Sequence, residues 1–210
     1  MESYLRSVVP SESPSSWPAD ALRAQAVAAR TYASCDRAAR PSAPGHTCDT
    51  TSCQVYPGYR TYNSAGVVTT THEASTTDAA IAGTANQVRY FGGAPAFTQF
   101  SSSNGGWTAS GSLAYQVAKP DPWDAIGNPV HSWSLRVTTE RLRTAYPQVG
   151  TPRYVETSRR TGDGEWGGRV VDVVIAGSSG SGTVSGSACG AARGRRRAGW
   201  EQAGWGRRAG

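Results

Sequence analysis

Apolar positions along this chain fall into short periodic runs separated by stretches of glycine, proline and small polar residues. Tyr4, Leu5, Val8 and Val9 keep helical spacing and stop at Pro10, which predicts a short helix ending in a Pro-bounded loop. Residues 10–18 are turn formers. Ser16 as N-cap, Pro18 in the first turn and Asp20 near the positive end of the helix dipole then introduce a helix over residues 19–33. The stripe of Leu22, Ala26, Ala29 and Ala33 on that helix is narrow and small, so another element is expected to pack close against it and the helix to be central.

From residue 35 to 66 no long periodic segment occurs, and a long structured loop is expected. A helix is predicted over residues 76–84, capped by Ser75 or Thr77, then two strands over 87–91 and 96–101 joined by Gly92-Gly93-Ala94-Pro95. After a Pro- and Asp-rich crossing over 119–129, the pattern gives a strand over 132–138 and a helix over 139–146. Strands over 153–158, 169–176 and 182–185 follow, with Gly162-Asp163-Gly164 as a turn. The sum is an α+β fold in which N-terminal helices, one of them Ala-rich and central, pack on mostly antiparallel strands.

Residues 186–210 break this pattern: Gly, Ala and Arg fill 19 of 25 positions, and Val, Ile, Leu, Met, Phe and Tyr are missing. Such a segment buries too little apolar area to offset its ordering entropy, so the reading is a folded domain over 1–186 and a disordered tail over 187–210. Charge supports the division. The chain carries +6 over 210 residues, but residues 191–210 hold six Arg and one Glu, which leaves the rest at +1. The body is nearly neutral, and a nucleic-acid partner is not implied by it. Salt-sensitive binding of the tail to nucleic acid or to an anionic wall polymer is a minor alternative.

Hydrophobic residues at 38%, with 25 Gly and 12 Pro, suit a loop-rich domain better than a helical bundle. No stretch reaches the 18 or so apolar residues of a membrane span, and the opening Met1-Glu2-Ser3-Tyr4 is not a basic and apolar leader.

Several residue groups carry candidate chemistry. Glu12 stands between Pro10 and Pro14 ahead of a rigid helix, with Trp17 nearby to raise its pKa, which is what a general acid requires. The alternative is a solvated glutamate that caps the next helix. Arg30 and Tyr32 offer a cation and a phenol to an anionic or sugar-like ligand, or else are an exposed Arg and a half-buried Tyr. His46, Cys48 and Cys53 supply three zinc-ligand types at an unusual spacing without an evident fourth; a Cys48–Cys53 disulfide is the simpler account in an extracytoplasmic protein. Ser101, Ser102, Ser103 and Asn104, followed by Gly105 and Gly106, offer hydroxyls and backbone N–H groups to a polar substrate. No Gly-x-Ser-x-Gly elbow, phosphate loop or dinucleotide fingerprint occurs, which argues against serine hydrolases and nucleotide enzymes.

Four ordered blocks then resemble the stage II sporulation protein D and amidase-enhancer (SpoIID/LytB) family. They are the segment from Tyr4 through Val8-Val9-Pro10-Ser11-Glu12 to Ala33, the Cys48–Tyr56 run, Phe100–Thr108, and Asp163–Arg169. The resemblance implies a lytic transglycosylase of peptidoglycan, with Glu12 as acid and then base, and with Arg30, Tyr32 and the 101–104 loop in the glycan groove; zinc is a feature of certain members, but no cofactor or metal is expected for this chain. It also implies an extracytoplasmic setting, and so a truncated start or a domain from a longer secreted chain. A non-enzymatic glycan binder that stimulates a cell-wall amidase is the alternative. Ser13 stands where many relatives have Met, and Ser52 where some have His, which weakens the zinc reading. Relatives close with an apolar segment in place of the Gly/Ala/Arg run; a reading-frame shift would produce that run, and translating the neighbouring frames tests it.

Overall fold

The computed structural model describes residues 1–42, 45, 47–48, 53–129, 131–132, 134, 136–164 and 167–186; the proposed tail over 187–210 lies outside the described residues. The fold is α+β. The chain divides into two compact units, Met1–Ser101 and a second beginning at Ser102.

The first unit is built on three helices: α1 (Glu2–Glu12), α2 (Ala19–Ala39) and α3 (Ser75–Gly83). Leu5, Val8 and Val9 from α1 meet Ala26 and Ala29 of α2 and Ile81 of α3 in one buried cluster. The small residues on α2 allow that approach, and the other faces of α2 carry longer polar side chains. These helices pack on one another, and α2 also meets the short strand β4.

Several local expectations need correction. Pro10 lies inside α1, because a proline in the last turn forfeits only its own N–H bond and its fixed φ is helical. The turn still closes, with the Ser13 N–H bonded to the Val9 carbonyl at 2.9 Å. Glu12 is therefore the last residue of a helix and not a loop residue. α2 starts after Pro18 rather than Ser16 and continues six residues beyond the predicted end at residue 33. Ala74, not Ser75 or Thr77, is the N-cap of α3; Thr77 donates instead to the Ala74 carbonyl at 2.8 Å.

The segment expected to be loop contains strand β1 (Arg60–Tyr62), paired antiparallel with β2 (Val68–Thr71). Every position in both strands is exposed, so no hydrophobic alternation announced them. The next hairpin is shorter than predicted: β3 (Tyr90–Phe91) and β4 (Ala94–Pro95). Gly92 and Gly93 between them have φ of 57° and 81°, conformations in which a Cβ is costly.

In the second unit, α4 (Thr139–Ala145) is capped by the Thr138 hydroxyl, which accepts from the Arg141 N–H at 3.3 Å. A 3-10 turn over Pro147–Val149 leads into an antiparallel sheet ordered β5 (Pro152–Arg160), β6 (Val170–Gly177), β7 (Gly180–Ser185). Val173 and Ile175, two apart on β6, bury one face against Val149. No strand forms among the described residues of the predicted 132–138 segment, which has no partner ladder. No helix among the described residues is long and apolar enough to cross a membrane.

Candidate functional site

Glu12 is set by both ends of its surroundings. α1 places it at the negative end of the helix dipole, which disfavours an ionised carboxylate. Forty-three positions further along, the backbone N–H of Val55 donates to Glu12 Oε1 at 2.6 Å. Burial pushes the carboxyl above its ordinary value, and the Val55 hydrogen bond offsets this only in part. Trp17, expected to provide the apolar screen, is itself 44% exposed.

Two phenols share this region. Tyr32 is half-buried, its ring 5.0 Å from that of Phe97, and burial followed by the charge of Asp36 raises its pKa. The phenol of Tyr4, pushed up to about 12 chiefly by burial, donates to Gln54 Oε1 at 3.0 Å, and its ring lies 5.0 Å from that of Tyr56. The charge of Glu12 adds a minor upward push to both phenols. Asp36 accepts from Thr47 Oγ1 and pairs with Arg40, each at 3.0 Å.

Arg30 is placed elsewhere. Its side chain is 2% exposed, and Nε and Nη2 grip both oxygens of Glu2 at 2.9 and 2.7 Å. Nη2 also donates to the Ile81 carbonyl at 3.1 Å. Glu2 opens α1 and Glu12 closes it, so about 15 Å of helix rise separates the two carboxylates. A cavity of about 610 Å³ lies at the Glu2 end, lined by Glu2, Arg30, Ser34, Arg37 and Asn86 among others; Glu12 is not part of its lining. The structure thus holds Arg30 as an internal strut at the opposite end of α1 from Glu12.

Cys48 and Cys53 form a disulfide with 5.7 Å between their Cα atoms, so each sulfur is committed to the other. His46, Asp49 and Ser52 lie outside the described residues, as do Glu165, Trp166 and Cys189.

The serine-rich loop has a different centre. In the second unit Asp124 is 8% exposed and collects donors: Ser103 Oγ at 3.0 Å, the Asn104 N–H at 3.0 Å and the Gly105 N–H at 3.1 Å. Asn128 Nδ2 lies at 3.3 Å and His131 Nδ1 at 2.5 Å. Burial alone would raise this carboxyl; the bonds from His131, Asn104 and Ser103 outweigh it and hold the group below its usual value. The side chain of Asn104 also donates to Asp121 Oδ2 at 2.6 Å. Positive φ at Gly105 (71°) and Gly106 (90°) makes the turn that aims these N–H groups inward. Ser101 ends the first unit.

Sequence reasoning missed Tyr4, Asp36, Gln54, Asp124 and His131 as site or loop-organising residues. The one available signal was adjacency: Gln54 and Val55 directly follow Cys53 in a block already singled out.

Residues 1–91 match the family described as SpoIID, stage II sporulation protein. The chain is 36% identical over 147 residues to a protein named amidase enhancer from Bacillus subtilis (strain 168), covering 67% of this chain and 18% of that protein. It is 33% identical over 121 residues to an uncharacterized protein of Brachyspira hyodysenteriae (strain ATCC 49526 / WA1), covering 57% of this chain and 30% of that one. The match over residues 1–91 and the amidase-enhancer relative support the SpoIID/LytB family, and the chain spans less than a third of the length of either relative.

Proposed function

We propose that the chain is a lytic transglycosylase of peptidoglycan with Glu12 as its acid and base. The observation that carries the reading is the state of Glu12: a half-buried carboxyl with a raised pKa, held by one backbone N–H at a helix end. Such a group keeps its proton into a weakly acidic medium, as a general acid must. Glu12 delivers that proton to the glycosidic oxygen between N-acetylmuramic acid and N-acetylglucosamine. The resulting carboxylate accepts the proton of the muramyl C6 hydroxyl while that oxygen bonds to the anomeric carbon. The product is an anhydro sugar, no water is added, and one carboxylate serves both transfers. Tyr32 and the loop over 101–104 are candidate glycan contacts, with Ser103 and Asn104 keeping their bonds to Asp124 and Asp121. Glycan strands outside the cytoplasm are the corresponding partner and place.

The name of the Bacillus subtilis relative favours a second reading, a non-enzymatic module that stimulates an amidase. Incubation with denuded glycan strands followed by mass spectrometry separates the two. Anhydro-muramyl ends that vanish in Glu12→Gln support the enzyme, whereas strands left intact by the unmodified protein leave the enhancer.

A further inference from the structure

We propose that Gln54 is a positioning residue for Glu12, fixing the Val55 N–H against the carboxylate by tying its own side chain to α1 and α2 at once. The proposal rests on the reading of Glu12 as the acid of the site. Gln54 is a polar side chain with 0% exposure, and a buried amide persists only where its groups are bonded. Its Oε1 accepts from the Tyr4 phenol at 3.0 Å, and its Nε2 donates to the Ala29 carbonyl at 3.3 Å. The first bond reaches α1 and the second reaches α2, so the Cα of Gln54 is located relative to both helices.

Peptide planarity carries that constraint one residue onward. The Gln54 Cα, the Gln54 carbonyl and the Val55 N–H lie in one rigid plane, and rotation about ψ of Gln54 is the freedom left to aim the N–H. The flanks of Val55 limit that rotation. Upstream, Cys53 is bonded to Cys48. Downstream, the Tyr56 ring packs on Tyr4, the residue that also bonds Gln54. Tyr4 and Glu12 share one helix, eight residues apart, so donor and acceptor are referred to the same rigid body. Because burial keeps the Tyr4 phenol protonated up to about 12, this tie persists through any working pH. The result is a fixed acceptor geometry in which Glu12 Oε1 is held by Val55. A carboxyl with one oxygen anchored presents the other in one direction, which general acid catalysis needs.

The test reads Glu12 directly. Carbon-13 NMR titration of the Glu12 carboxyl is recorded for the unmodified chain, for Gln54→Met, which keeps the volume and removes both bonds, and for Tyr4→Phe, which removes one. Loosening of the Val55 N–H deprives the ionised form of its donor, so the titration midpoint is expected to rise by about half a unit or more in Gln54→Met and less in Tyr4→Phe. Turnover of denuded strands is expected to lose about tenfold in kcat with KM little changed. An unmoved Glu12 midpoint in folded Gln54→Met overturns the proposal, whatever its melting temperature. Should Gln54→Met not fold, the milder Tyr4→Phe carries the same decision. Absence of turnover in the unmodified chain would defeat the transglycosylase reading, while the titration still decides the positioning role.

Discussion

Arg30 and Glu2 form a bidentate pair across two helices, with the guanidinium almost fully buried and the carboxylate 43% exposed. Such a pair is asymmetric in what its loss does. Glu2→Ala strands a buried cation, so stability should fall by about 1–3 kcal/mol, the lower part of the buried-pair range because Glu2 is partly solvated. The check is urea unfolding, with a lowered midpoint and an unchanged m-value. The hydrogen bonds from Arg30 hold Glu2 below its usual carboxylate value, so its contribution is present above about 4.5 and fades as pH falls through the lowered folded value.

Asp124 should be still less replaceable. Asp124→Ala removes the shared acceptor that Ser103 Oγ and the N–H groups of Asn104 and Gly105 converge on, at an expected cost of about 3 kcal/mol. Because its folded carboxyl sits below the unfolded value, the stability it supplies is lost on acidification. Denaturant melts at pH 7 and pH 3 measure both effects; a variant within 1 kcal/mol of the parent at pH 7 would remove Asp124 as the organiser of this loop.

Glu12 has the opposite sign. Its folded pKa is raised, so ionisation disfavours the folded state as pH climbs from about 4.5 through the raised value. Glu12→Gln should therefore abolish anhydro-sugar release yet melt about 1–4 °C higher than the parent at pH 7, for a gain of up to about 1 kcal/mol. In the unmodified chain kcat/KM should decline with rising pH, with a midpoint above 4.5. A flat profile through that interval removes Glu12 as the acid.

Reduction of the Cys48–Cys53 bond opens a short loop whose closure constrains the unfolded chain by about 2 kcal/mol. The double variant Cys48→Ser, Cys53→Ser should lose about that much, with a larger fractional loss of turnover because Val55 follows two positions after Cys53. Calorimetry and the glycan assay on one preparation compare the two losses.

Local periodicity predicted α2, α3 and β6 well, since each carries buried residues: Leu22, Ala26 and Ala29 on α2, Ala80 and Ile81 on α3, Val173 and Ile175 on β6. It failed at β1 and β2, which bury nothing, and at Pro10, whose meaning depends on the turn in which it falls. Glu12 was legible through the motif around it. Its donor, Val55, was not, because that pairing spans 43 positions; Gln54 with Tyr4 spans 50 and His131 with Asp124 spans seven across irregular chain. Arg30 was read as outward-facing because arginines usually are, and only tertiary packing shows the acceptors that draw it inside.

The Asp124 knot has one more consequence. Successive N–H groups curled by glycines ordinarily wait for an anion from solution, and they lose conformational freedom at the moment of encounter. Here the chain supplies its own anion, so that freedom is surrendered once, during folding. Whatever later meets this loop finds it already shaped, and its association carries no ordering penalty for residues 103–105.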